Sequence, residues 1–219
     1  ATSDNVTFYE FTDWGNRFDR CSFGHAIFRQ AALGFGMSVF AGCVFQRGNF
    51  RGAIFKRPEF DQCQFLSCDF RGVDFDASSF VDCAFVGKLN GAWFRGGYGY
   101  PELSESYGRA RQNNMLRVSW AAAKIWQVTF SDECDLSTVI LPTDGKHFRY
   151  DRWPERVEAA CAKFNDCDNA DLGRAYNFVR SFQPHAQSQA WYILNYDDIA
   201  NLVGNEVAPL VLAAFGDPA

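Results

Sequence analysis

The sequence predicts a repeat solenoid over residues 1–141 and a helical domain over 142–219. Phenylalanine returns every fifth residue at Phe40, Phe45, Phe50, Phe55, Phe60, Phe65, Phe70, Phe75, Phe80 and Phe85 without a miss. Two residues before each stand Ser38, Cys43, Gly48, Ala53, Pro58, Cys63, Cys68, Val73, Ser78 and Cys83, most of them small. After Leu141 the beat stops and apolar residues fall at helical spacing. A helix repeats its apolar face about every 3.6 residues and a strand about every 2. A five-residue beat fits neither. It needs a chain that turns through the same angle at each step and sends one large and one small side chain inward.

Taken in chain order, residues 1–15 are irregular and aromatic-rich (Phe8, Tyr9, Phe11, Trp14) and read as an N-terminal cap. The beat begins at Phe18, Phe23, Phe28 and Leu33, then slips by two residues at Gly34-Phe35-Gly36-Met37, where a bulge or corner loop is expected. It continues from Phe40 to Phe85 and more loosely through Leu89 and Phe94. An interruption covers about residues 95–119, and an echo follows through Ile125, Phe130 and 134–141.

Segments such as Cys68-Asp69-Phe70-Arg71-Gly72 and Val73-Asp74-Phe75-Asp76-Ala77 run small, polar, Phe, any, any. This pattern resembles the pentapeptide-repeat family over roughly residues 16–141. The resemblance implies a mainly β fold, a right-handed quadrilateral β-helix in which each pentapeptide is one side of a square and four make a coil. Residues 20 apart would then stack about 4.8 Å apart along the axis. Phe40, Phe60 and Phe80 would form one ladder, Phe45, Phe65 and Phe85 a second, and Cys43, Cys63 and Cys83 a third.

The interruption opens on turn chemistry, Gly96-Gly97-Tyr98-Gly99-Tyr100-Pro101. It reads as a corner insertion that could present Tyr98, Tyr100, Tyr107, Arg109 and Arg111 to a protein partner, since Tyr and Arg are enriched at interfaces. In the tail, Pro154 suits a first helical turn, with Val157, Ala160, Cys161 and Phe164 following at helical spacing. A second helix is expected through Leu172, Ala175, Tyr176, Val179 and Phe182, ending before Pro184. Further helices are expected over 191–202 and 207–215. The first part of this tail is expected to cover the last coil.

Chemistry is scarce. His25, His147 and His185 are far apart, and none lies in a nucleophile or metal motif. Asp166, Asp168 and Asp171 lack the calcium-loop pattern. The Phe-filled interior leaves no room for a substrate, so no catalytic residue, metal ligand or cofactor is assigned. Cys43, Cys63, Cys68 and Cys83 share one phase of the beat and read as buried wall-packing thiols, which points to a reducing compartment, the cytoplasm. No run is long and apolar enough to span a bilayer, and no membrane association is expected.

The net charge is −5. Residues 40–85 carry five basic and six acidic residues, and no basic cluster of the kind that binds a phosphate backbone is visible in the linear sequence. The leading expectation is a non-enzymatic scaffold that binds another protein through its faces, the 95–114 loop or the helical tail, the last also suiting homodimerisation. The family resemblance implies an alternative, because one subgroup binds DNA gyrase and related topoisomerases by imitating duplex DNA and protects them from inhibitors. Such a mimic should be strongly acidic, and residues 40–85 are nearly neutral. A third expectation is an effector or immunity component acting through the C-terminal helices.

Overall fold

The structure, a computed structural model, describes residues 1–97, 111–164 and 170–219. It divides into two compact units, Ala1–Pro142 and Thr143–Ala219.

The first unit is a four-walled parallel solenoid. Wall 1 stacks Thr2–Asp4, Ser22–Gly24, Val44–Gln46, Gln64–Leu66, Ala84–Asn90 and Ser119–Trp126. Wall 2 is held by single bridges linking Thr7, Ile27, Asn49 and Asp69 in order, and is extended by the second halves of the two long strands. Wall 3 stacks Thr12–Trp14, Ala32–Phe35, Ile54–Lys56, Asp74–Asp76, Trp93–Arg95 and Thr129–Ser131. Wall 4 stacks Arg17–Asp19, Val39–Ala41, Glu59–Asp61 and Ser79–Val81.

Each step of five residues spends three on a short extended side and one on a corner in the left-handed region. Arg20, His25, Arg47, Gln62, Ser67 and Asp82 all have φ between 48° and 53°. That conformation is uncommon for residues with a Cβ. Here the corner amide is held by the next coil: Arg47 N–H donates to Leu66 O (2.8 Å), Gln62 to Val81 (2.9 Å) and Ser67 to Val86 (2.7 Å). The corner from wall 2 to wall 3 differs. Phe28–Ala31, Phe50–Ala53 and Phe70–Val73 are β-turns closed by bonds of 3.1, 2.9 and 3.0 Å. Their third residues, Gln30, Gly52 and Gly72, have positive φ, as a type II turn requires.

The two-residue slip is built by a polar network. Thr12–Trp14 and Ala32–Phe35 lose register, and Phe18 pairs with Phe40, 22 residues on, where Phe40 pairs with Phe60, 20 residues on. Asp13 is fully buried at an inward position, where its carboxylate accepts from Asn16 Nδ2 (2.6 Å) and from the Gly34 amide (3.2 Å). The Asn16 amide in turn donates to Ser38 Oγ (3.1 Å). Gly34 has φ +95°, and a Cβ there would lie 2.4 Å from Pro58 Cδ, so only glycine fits.

Two expectations are corrected. Residues 1–15 are not an irregular cap: Thr2–Asp4 and Thr12–Trp14 pair with the coil above, so the segment is itself the first coil. The repeat also resumes before residue 119. Met115 is buried, Leu116 bridges to Val81, and buried Asn113 accepts through Oδ1 from the amides of Phe80 (3.2 Å) and Met115 (3.1 Å).

The second unit joins helices to a two-stranded antiparallel sheet, His147–Tyr150 with Tyr192–Asn195. The described helices are α1 (Trp153–Phe164), α2 (Ala170–Arg180), the single turn α3 (Gln183–Ala186), α4 (Tyr196–Val203) and α5 (Ala208–Phe215). The expected helix over 191–202 is therefore a strand in its first part. Asn195 ends that strand and caps α4, its side chain accepting from the Asp197 amide (2.9 Å). Trp153 centres the core. It stacks on Tyr192 (4.7 Å) and Phe215 (4.8 Å) and meets Phe182 edge-on (5.2 Å). Arg156 and Lys163 of α1 donate to the last carbonyls of α5, Phe215 O (2.7 Å) and Ala214 O (2.9 Å), where cations complement the helix dipole.

Candidate functional site

Among the described residues the interior of the solenoid is filled by stacked rings. Phe40, Phe60 and Phe80 stack at 5.1 and 5.0 Å, and Phe45, Phe65 and Phe85 at 5.1 and 4.7 Å. Rings on adjacent walls meet edge-on, as Phe60 does Phe65 at 5.4 Å. Offset and edge-on pairs of this kind add about 0.5–1.5 kcal/mol each beyond area burial. Cys43, Cys63 and Cys83 fill the small inward position, and their thiols donate to the carbonyls of Phe18 (3.3 Å), Phe40 (3.2 Å) and Phe60 (3.4 Å) one coil away. The Cys43 thiol is pushed up by its hydrogen bond to Cys63 and by burial. At Cys63 the bond to Cys43 pulls down, but the bond to Cys83 and burial prevail and hold the thiol at about 12. Burial places Cys68 at about 12 as well. Nucleophilic cysteines need the opposite shift.

Chemistry is therefore confined to outward positions. Of the residues expected to form a binding loop, Tyr98, Tyr100, Tyr107 and Arg109 lie outside the described residues. Arg111 is described, and it is committed within the molecule. Its amide donates to Glu59 Oε1 (2.9 Å), and its guanidinium donates to Ser79 Oγ (3.0 Å) and Asp61 Oδ1 (2.8 Å) on wall 4.

The walls differ in charge. The outward residues of wall 1 over its middle coils, Val44, Gln46, Gln64, Leu66, Ala84 and Val86, are uncharged. Wall 3 carries opposite charges one coil apart: Lys56 with Asp76, and Arg95 with Asp74 (3.0 Å) and Asp132 (3.2 Å). Arg95 also lies 3.7 Å over the Trp93 ring, whose Nε1–H donates to Ser131 Oγ (2.8 Å). Wall 4 and its corner pair Arg111 with Asp61 and Arg117 with Asp82 (2.6 Å). Wall 2 and its turn present Arg29, Arg51, Arg71, Lys88 and Lys124 against Asp69 and, in the first coil, Glu10. Arg71 holds the Asp69 carboxyl below the usual range through a 2.6 Å bond. A linear reading misses this wall, because the five cations fall in five different coils.

No histidine assembles a catalytic set among the described residues. His25 is exposed beside Asp4 (3.2 Å), the His147 ring is buried against Asp144 (2.9 Å), and His185 is exposed on α3. Burial pushes the Cys161 thiol up, against any role as a nucleophile. The described residues hold no cluster fit for a metal ion, and no helix among them is long and apolar enough to cross a membrane.

Four walls, short parallel sides and inward rings in register define a β-solenoid of square coils. The family model for pentapeptide repeats matches residues 38–76 with eight copies. Residues 38–76 thus carry the pentapeptide repeat. Among solved structures it is similar to a pentapeptide repeat protein from the thylakoid lumen of Arabidopsis thaliana. That match is 17% identical, covers 54% of this chain and 68% of that one, and has a TM-score of 0.19. No curated protein matches the chain significantly.

Proposed function

We propose that the protein is a non-enzymatic scaffold that binds another protein through the outer walls of its solenoid. The observation that carries this reading is the filled core. The inward rings of Phe40, Phe60, Phe65 and Phe80 are at most 3% exposed, so within the solenoid recognition falls to the outward-facing residues of the walls. Those walls offer side chains on a backbone fixed by bonds to the coils on either side, and a preorganised surface loses little entropy on binding. The duplex-imitating alternative would need a wall acidic throughout. Walls 3 and 4 mix signs and wall 2 is basic.

The test is cross-linking of the full chain in an extract of its source cells, with surface substitutions on each wall in turn. The reading expects a partner that one wall's substitutions release and the others retain. Turnover of a small molecule by the purified chain, abolished by a point substitution, would overturn it.

A further inference from the structure

Wall 2 is unlike the other three. Bridges set Ile27, Asn49 and Asp69 level with one another in consecutive coils, so Arg29, Arg51 and Arg71, two residues on, also stand in a row. Each is the second residue of a type II turn, with its backbone fixed by the closing bond. Asn49 and Asp69 tighten two of these turns, accepting from the amides of Arg51 (3.1 Å) and Arg71 (3.2 Å). Lys88 and Lys124 pair in register on the same wall, continuing the row that Asp69 occupies. Arg47, at the adjoining corner, adds a sixth cation. All six are exposed, and Arg29, Arg47, Arg51, Lys88 and Lys124 make no ion pair with a described residue. On a chain of net charge −5 this is a concentrated local field of opposite sign.

The turns that carry the arginines also open a groove. Gly52 and Gly72 have open space where a Cβ would stand. With Ala53, Ile54, Phe55, Lys56, Asp74 and Asp76 they line a shallow trough of about 330 Å³ that runs round the corner onto wall 3, where Lys56 and Arg95 pair the two carboxylates and Ile54 is 50% exposed. Wall 2 thus presents a straight row of cations, and the apolar Ile54 stands just beyond its corner, on wall 3.

We infer that wall 2 binds an acidic amphipathic helix of a partner protein, laid along the solenoid axis. The inference rests on the protein-binding reading above and names its partner. Coils repeat at about 4.8 Å, and a helix turns every ~5.4 Å. Glutamates spaced three or four residues apart therefore keep step with Arg29 and Arg51 in successive coils, Arg71 being already bound to Asp69, and the small mismatch is taken up by flexible side chains. An apolar residue on the neighbouring helical stripe reaches over the corner to Ile54 at the start of wall 3. Arginine forks suit carboxylates. A nucleic-acid duplex fits less well, because its phosphates wind away from a flat wall and the net negative charge repels it at long range.

The test uses the full chain and a fluorescein-labelled, alanine-based peptide of about 17 residues with glutamate at every third or fourth position and one leucine stripe. Anisotropy titrations at low and physiological salt should show saturable binding, weakened at least ~10-fold by Arg29→Glu with Arg51→Glu. Arg17→Glu with Arg20→Glu, the same charge change placed on wall 4, should weaken it less than ~2-fold. Should the first variant lose its far-UV circular dichroism, Arg29→Gln with Arg51→Gln tests the same row and should weaken binding about threefold. Equal losses from both walls, no binding, or tighter binding of a single-stranded oligonucleotide or phosphatidylserine vesicles would each overturn the inference. The two readings can fail separately. A cross-linked partner retained by Arg29→Glu with Arg51→Glu removes wall 2 as the contact and leaves the scaffold standing.

Discussion

Phe65 lies between Phe45 and Phe85, and its neighbours can be written down by counting 20 residues either way. Trp153 meets Tyr192, Phe182 and Phe215, residues 39, 29 and 62 positions away that no arithmetic connects. Both side chains are about 1% exposed. One core is made by repeating a local rule; the other is made once, by side chains that fit only each other. The difference teaches that similar burial can rest on register in one unit and on unique shape in the other.

The largest effects should separate these two. Phe65→Ala and Trp153→Ala should each destabilise their unit by about 3–5 kcal/mol in urea denaturation. Leucine should divide them. Phe65→Leu should cost only about 1–1.5 kcal/mol, because Leu33 and Leu89 already occupy equivalent buried inward places. Trp153→Leu strips four ring contacts, with Tyr150, Phe182, Tyr192 and Phe215, and should cost about 3 kcal/mol or more. Equal costs for the two leucine variants would erase the distinction.

Next comes the place where register itself is broken. Gly34→Ala forces a side chain against the Pro58 ring and backbone at φ +95° and should cost roughly 2–3 kcal/mol, read as a lower urea midpoint. A neutral result would mean that the two-residue slip is soft. Arg111→Ala should cost about 1–2 kcal/mol, since it frees Asp61 and Ser79 on wall 4 together. Hydrogen exchange should then show faster exchange near Glu59–Asp61 and not on wall 2.

Near neutral pH the smallest effect is that of pH itself. The Cys63 and Cys68 thiols are raised to about 12 in the folded chain, above the ordinary value of about 8.5. Ionisation therefore favours the unfolded chain. Their contribution is whole below about pH 8.5 and is lost progressively as the pH rises toward 12. At pH 8 a thiol reagent should modify half-exposed Cys21 well before Cys63 and Cys68. Equal rates would show that the column opens readily.

The sequence made the solenoid readable because each coil repeats the last: the five-residue beat gave the walls, and the slip at residues 34–37 appeared as a change of phase. The Tyr192–Asn195 strand was missed for want of such repetition. Its Tyr-Ile-Leu run fits strand or helix, and only the pairing with His147–Tyr150 decides. Asn195, a capping residue two positions before Asp197, was the available sign that a helix begins there. The basic wall was hidden for another reason. Arg29, Arg51 and Arg71 are 22 and 20 residues apart, so any count along the chain dilutes them with the charges of three other walls. Arg111 was recognised as a binding type of residue, but a linear pattern could not reveal that Asp61 and Ser79 already hold it.

Because every coil ends directly above its own start, the column works as a ruler whose graduations are whole circuits. Gaining or losing one circuit would lengthen the molecule and leave every side chain on its own wall. An indel of a single pentapeptide would rotate everything beyond it by a quarter turn and scatter the stacked arginines among different walls. Change in length is thus quantised for this architecture, and the charge pattern on its surface is inherited in steps of one storey.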